Sequence, residues 1–190
     1  MKIQIFIIIL LTSILLLGCT TKTEDRIEPS TSNTQNTQAT QVQPKMHLSS
    51  PDWMDTRWQI YNNFTCFGQD ISPSFTVINL PSNTKSLAIM MYDGSAPSGM
   101  FVHWMVYDLP VSKTSFSQNE SLVKTVKNDF GVYNYRGPCP QDTKVHNYKL
   151  EIFALDVASL GNINDKASFI SGIQKHIIDS GMISSYYSRD

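Results

Sequence analysis

Apolar and polar positions follow four successive regimes along the chain. From Ile3 to Leu17 the residues are almost continuously apolar. From Thr20 to Pro44 they are Thr, Ser, Gln and Asn with almost no large apolar group. Beyond that point short β-rich runs alternate with turn-forming clusters. Phe75 to Leu80 is one such run, and "SLAIMMYD" (86–93) is nearly continuous in apolar character, as a strand covered on both faces requires. "VHWMVYDLP" (102–110) predicts a third strand, stopped by Pro110. "HNYKLEIFALD" (146–156) alternates with period two. That places His146, Tyr148, Leu150, Ile152 and Ala154 on one side and Lys149 and Glu151 on the other. The last regime is helical: in "DKASFISGIQKHIIDSGM", Phe169, Ile170, Ile173, Ile177 and Ile178 recur at helical spacing, and Gly181 is the expected stop. His176 then falls in the last turn, suited to the helix dipole or simply exposed. The pattern predicts a β-rich domain with a terminal helix packed on its edge.

The N-terminal regime has its own chemistry. An early Lys2 followed by an apolar run of about 15 residues is short for a membrane span and fits a signal-peptide core. The run ends in Leu16-Leu17-Gly18-Cys19, which resembles a lipobox, where the thiol of Cys19 would carry lipid. The alternative is a signal anchor with an incidental cysteine; either one puts the domain outside the cytoplasm. The expected division is a signal peptide at 1–18, a disordered tether at 19–45 and a folded domain at 46–190. The tether lacks the apolar surface to offset chain entropy, and its end-to-end distance would be roughly 25–30 Å.

Composition narrows the choice of partners. With 190 residues, 41% hydrophobic, 16% charged and a net charge of −1, the chain can bury a core but carries no basic block. Nucleic acid is therefore excluded as a partner, since phosphate-backbone binding needs clustered Lys and Arg. Of three cysteines, Cys66 and Cys139 remain after Cys19 is assigned to lipid. They are either bridged, which would close a long loop and stabilise the fold by about 4 kcal/mol, or two buried free thiols. No CxxC or Cys/His cluster points to zinc, and no cofactor is expected.

The turn-rich segments "GQDISPS" (68–74), "DGSAPSG" (93–99) and "YRGPCPQD" (135–142) separate the strands. Asp93 ends one strand, and His103 opens the next, with Met105, Tyr107 and Leu109 as its mates at period two. His146 opens a third strand with Tyr148 two places on, just after Gly137-Pro138-Cys139-Pro140. If these strand ends converge, Asp93, His103, His146 and Tyr148 line one concavity. Two imidazoles and a phenol would donate to an anion's oxygens, and the carboxylate would set a histidine's tautomer or raise its pKa. The alternative is that each histidine is a satisfied structural residue.

Several stretches together resemble the phosphatidylethanolamine-binding proteins, in their bacterial and archaeal Raf-kinase-inhibitor-like branch. They are "LSSPDW" (48–53), "FTCFGQDISPSF" (64–75), "LPSNTKSLAIMMYDGSAPSG" (80–99), "HWMVYDLP" (103–110), "YRGPCPQDTKVHNYKLEIFALD" (135–156) and "HIIDSGMISSYYSR" (176–189). The resemblance implies a Greek-key β-sandwich with peripheral helices, a C-terminal helix and a pocket for small anions such as phosphate, acetate or a phosphorylethanolamine headgroup. Carried over by motif, the ligand-binding residues would be Asp93, Pro97, His103, Gly137, Pro138, His146 and Tyr148, with Tyr187 in a C-terminal segment able to cover the pocket. The family loop Asp-Pro-Asp-Ala-Pro reads Asp93-Gly94-Ser95-Ala96-Pro97 here, which removes one carboxylate and one stiffening proline. Between the His and Tyr of the third strand stands Asn147. The expected function is a membrane-tethered, extracytoplasmic binding protein for a small anion or phospholipid headgroup. The rival readings are a serine protease inhibitor or signalling modulator and, less favoured, a hydrolase with His103 as base and Asp93 as its orienter. No nucleophile elbow, metal signature or phosphate-cradling Gly-rich loop appears, so an enzyme is not expected.

Overall fold

The computed structural model describes residues 44–189. The expected signal peptide, the expected lipidation site at Cys19 and nearly all of the expected tether lie outside the described residues. Seven strands and one helix follow in the order β1 (His47–Ser49), β2 (Phe75–Ile78), β3 (Ser86–Asp93), β4 (Phe101–Leu109), β5 (Ser115–Phe116), β6 (His146–Leu155), α1 (Lys166–His176) and β7 (Ile177–Tyr187). A 3-10 turn spans Asn62–Phe64. The strands form two antiparallel sheets, ordered β1-β2-β5 and β4-β3-β6-β7. The mostly-β expectation and the four predicted strand runs therefore hold, while β1, β5 and β7 carry no comparable periodic signal.

The continuous apolar run of β3 is explained by cover on both faces. Leu87, Ile89 and Met91 face the other sheet, where Leu48, Phe75, Val77 and Phe116 close the sandwich core. Phe75 stacks on Phe116 with ring centres 4.4 Å apart. Ala88 and Met90 face the opposite way, onto a second core with Phe153 and with Phe169 and Ile173 of α1. The helix therefore lies over the outer face of the four-stranded sheet. The helix is peripheral, as expected, but it is not terminal: β7 follows it and takes the edge of the four-stranded sheet.

The end of α1 is a second correction. The helical spacing continues to Ile178, but the helix stops at His176. Its start is well marked, because Asp165 caps Ser168 N–H and the Ser168 hydroxyl lies within 3.1 Å of the Asp165 N–H, a reciprocal capping box. At the other end the Asp156 N–H donates to the His176 carbonyl, and the His176 ring pairs with Asp156 at 2.9 Å. Two β-branched residues, Ile177 and Ile178, then favour extended backbone. The strand so begun pairs with β6 from Leu155↔Ile177 to His146↔Tyr187. Gly181 is no helix stop. It sits in β7 where a Cβ would come within 2.9 Å of the Leu48 backbone nitrogen, so it lets β7 pass close to β1.

The choice left open for the cysteines closes in favour of the bridge. Cys66 and Cys139 are disulfide-bonded, with Cα atoms 5.4 Å apart. The bridge joins the segment after the 3-10 turn to the loop that precedes β6.

Candidate functional site

Strand register puts three of the expected residues in one row. Asp93 pairs with Phe101 on one side and with Tyr148 on the other. Their side chains leave the sheet on the sandwich-core face, at the end where that core runs out. His146 lies two residues before Tyr148 on the same face of β6, and its ring stacks along Tyr148 with centres 6.2 Å apart.

His103 joins this group by a route that period-two counting misses. In the β3–β4 ladder Met91 pairs with Trp104 and Tyr92 with Val102, so His103 is the extra residue of a β-bulge. Of its expected strand mates only Leu109, beyond a second bulge, shares its face. Met105 and Tyr107 belong to the face under α1, whereas the bulge turns His103 to the face of Trp104. The ring meets Tyr148 edge-on at 5.4 Å. A bulged residue loses its ladder bonds, and here they are replaced. The His103 carbonyl accepts from the Asn128 side chain at 2.7 Å and from the Arg136 N–H at 3.3 Å.

The imidazole of His103 is held at Nδ1 by the carbonyls of Arg136, at 2.7 Å, and Gly137, at 3.0 Å. Carbonyls only accept, so Nδ1 carries the proton and Nε2 is left with a lone pair. Burial pulls the pKa of this ring down, against the bonds to Arg136 and Gly137 and the charge of Asp93, so it is neutral at pH 7. Nε2 has no partner among the described residues, yet it is not sealed from solvent.

His146 behaves in the opposite way. Nδ1 lies 2.6 Å from Asp93 Oδ2 and Nε2 lies 3.0 Å from Asp142 Oδ1. Burial lowers its pKa, but hydrogen bonds to Asp93 and then Asp142 outweigh that and leave it raised. The imidazolium donates both N–H groups to carboxylates and keeps none for a ligand. The second Asp93 oxygen accepts the Ser95 N–H at 2.7 Å, and the Ser95 hydroxyl in turn accepts the Asn147 N–H at 3.1 Å. The Tyr148 phenol is held far above its usual range by burial first and by Asp93 second, so it stays protonated.

These groups open into a cavity of about 490 Å³ whose walls also include Pro97, Phe101, Phe130, Pro140 and Asp142. Phe101 and Phe130 meet edge-on at 4.8 Å across one wall. Of the sequence-derived residues, Asp93, Pro97, His103, His146 and Tyr148 line this space. Gly137 and Pro138 do not line it but frame it. The Gly137 carbonyl fixes His103, its N–H donates to Asp70 at 2.7 Å, and the Pro138 carbonyl accepts the Cys66 N–H at 3.1 Å. A Cβ on Gly137 would sit 2.0 Å from the Phe64 carbonyl oxygen, so only glycine lets the two segments approach.

Tyr187 lies elsewhere. Its hydroxyl donates to Asn62 at 2.9 Å and its ring stacks on Phe67, in a separate cleft with Arg57 and Arg189. The reason is β7, which pairs with β6 as far as His146↔Tyr187 and so holds Tyr187 in the ladder. Asp142, Phe101 and Phe130 were missed as site residues. Asp142 stands in a turn-rich segment that the sequence flags; Phe130 carries no such signal. The hydrogen-bond inventory also differs from the donor-rich expectation. Of the two imidazoles and the phenol, only the phenol presents a free donor.

A family model described as phosphatidylethanolamine-binding protein matches residues 50–188. A UPF0098 protein of Archaeoglobus fulgidus is 35% identical over 134 residues, which is 66% of this chain and 46% of that protein. Another, from Aquifex aeolicus, is 41% identical over 105 residues, 52% of this chain and 61% of its own length. The chain thus spans about half to three fifths of these relatives. The crystal structure of a phosphatidylethanolamine-binding protein homologue from Chlamydia trachomatis superposes with a TM-score of 0.69 at 27% identity, covering 77% of this chain and 99% of that one. The chain belongs to the phosphatidylethanolamine-binding protein family.

Proposed function

We propose that this protein is an extracytoplasmic binding protein, tethered to the membrane through a lipid on Cys19, and that its cavity captures a small oxyanion, foremost a phosphate-bearing headgroup. One observation carries the reading. A carboxylate, two imidazoles and a phenol from three strands converge on one aromatic-walled cavity that stays open to solvent. Buried polar groups normally find protein partners. Here His103 Nε2 and the Tyr148 hydroxyl have none among the described residues and face the cavity instead. The Cys66–Cys139 bridge supports a location outside the cytoplasm, where disulfides persist.

Binding rather than turnover is favoured by how the nucleophile candidates are used. The Ser95 hydroxyl is engaged with the Asn147 N–H, and the Cys139 sulfur is in the bridge. Neither histidine touches a hydroxyl within hydrogen-bond range among the described residues. Calorimetry on the full-length chain in a neutral detergent, with inorganic phosphate and phosphorylethanolamine, tests the proposal. His103→Ala and Tyr148→Phe are each expected to weaken binding by about tenfold or more, the cost of removing a hydrogen bond to a charged group. Affinity unchanged in both variants refutes the pocket. In cells, Cys19→Ala is expected to release the chain from the membrane fraction, and full retention would refute the lipid tether.

A further inference from the structure

The polar atoms that face the cavity are unequal in kind. His146 has both nitrogens committed to Asp93 and Asp142. Asp93 has one oxygen on His146 and the other on the Ser95 N–H. His103 donates its only proton to backbone carbonyls and turns a lone pair toward the cavity. Among these buried groups the Tyr148 hydroxyl is the one free to donate; the other side-chain donors of the wall, Ser98 and Gln141, belong to exposed residues, and the Gln141 amide is engaged with the Cys139 carbonyl at 3.0 Å. Pro97 and Pro140 in the wall have no N–H at all.

Charge points the same way. Among the described residues no Lys or Arg lines the cavity. Around it stand Asp93 on β3, His146 on β6 and Asp142 on the loop before β6. Asp129 stands behind His103 on the loop after β5, with Lys166 of α1 on its carboxylate at 2.7 Å. The Arg136 guanidinium is outside, over Phe130 and paired with Asp70. Two carboxylates against one imidazolium at the cavity leave it no net positive charge with which to hold a dianion.

Building on the pocket reading above, we infer that the cavity selects a phosphomonoester in its proton-bearing, singly charged form, and rejects both the dianion and the phosphodiester. The monoanion brings the missing donor. Its P–OH gives a hydrogen bond to His103 Nε2, and a non-bridging oxygen accepts from the Tyr148 hydroxyl. A diester has the same single charge and no P–OH, so it leaves the His103 lone pair buried without a partner. A dianion has no proton to give and meets two carboxylates. The natural ligand is then a headgroup already cleaved from its lipid, not the headgroup of an intact phospholipid.

Matched ligands test this on the full-length chain in neutral detergent. At pH 5.5 methyl phosphate is expected to bind at least about tenfold more tightly than dimethyl phosphate, since the diester strands a buried acceptor. Phosphorylethanolamine is expected to exceed glycerophosphorylethanolamine by a similar factor, which distinguishes the cleaved headgroup from the intact one. Methyl phosphate affinity, on total ligand, is expected to fall roughly 20-fold from pH 5.5 to 7.5 as the second proton of the ester leaves near pH 6. Nitrogen-15 spectra of the imidazoles are expected to show His103 protonated at Nδ1 and bare at Nε2. Measurable binding with a monoester-to-diester ratio near one, or a protonated Nε2 at neutral pH, overturns this inference and leaves the pocket standing. No binding by any of the four ligands overturns both.

Discussion

Replacing Cys66 and Cys139 together by serine is expected to cost about 4 kcal/mol of stability and to lower the melting temperature by on the order of 10 °C. The figure follows from chain entropy: the bridge spans 73 residues of sequence, and every unfolded conformation in which those residues separate is forbidden while it stands. The loss should not stop at global stability. Cys139 lies in the cavity wall between Pro138 and Pro140, and Gly137, two residues away, fixes the His103 ring. With the bridge gone, the Pro138 carbonyl to Cys66 N–H bond and the close passage of Gly137 against Phe64 must hold this segment alone. Urea unfolding of the oxidised protein, the reduced protein and the double serine variant measures the first effect, and phosphate calorimetry the second. A stability loss under about 1 kcal/mol would mean that the native contacts of 135–142 already confine the segment.

The same loop shows where sequence reading works and where it fails. Period-two alternation along β6 correctly put His146 and Tyr148 on the buried aliphatic face, because one strand's side-chain directions are a local property. Asp93 could be read as the end of β3 from the Gly-Ser turn that follows it. His103 was placed among the wrong neighbours, because a bulge exists only relative to a partner strand. Nothing in "VHWMVYDLP" announces that Tyr92 will pair with Val102 and Met91 with Trp104. The strand β7 was hidden for a related reason. Ile173, Ile177 and Ile178 satisfy helical spacing, and the β-branched preference of the last two is too weak a signal until the open edge of β6 gives them a strand to pair with. Asp142 reaches His146 across four residues of loop, a spacing with no meaning outside a helix. The serine of the unusual Gly94-Ser95 pair leaves no gap: its N–H takes an Asp93 oxygen and its hydroxyl meets the next strand.

Asp93→Ala is expected to destabilise the fold by about 3 kcal/mol, the usual result of removing one partner from a buried ion pair. Both side chains of the pair are less than a tenth exposed, and the substitution strands His146 Nδ1 and the Ser95 N–H together. The effect has a pH signature. Folding raises the pKa of His146, so it favours the protonated ring. That stabilisation is complete below the unfolded value of about 6.5 and drains away as pH rises through the folded value. The gap between parent and variant should therefore be widest just below neutrality and narrow in mild alkali. Asp93→Asn removes the charge and one of the two acceptors. Its single oxygen can still take the Ser95 N–H, and its NH2 then faces His146 Nδ1, which can accept only in the neutral ring, so the expected loss is about 2 kcal/mol, with a weaker pH dependence and a lower His146 pKa by histidine NMR titration. Asp142, still paired with the other nitrogen, keeps part of the shift. If His146 titrates identically in the parent and the Asn variant, Asp93 is an orienting acceptor without electrostatic weight. The cavity would then carry less compensated charge than two carboxylates on one imidazolium imply.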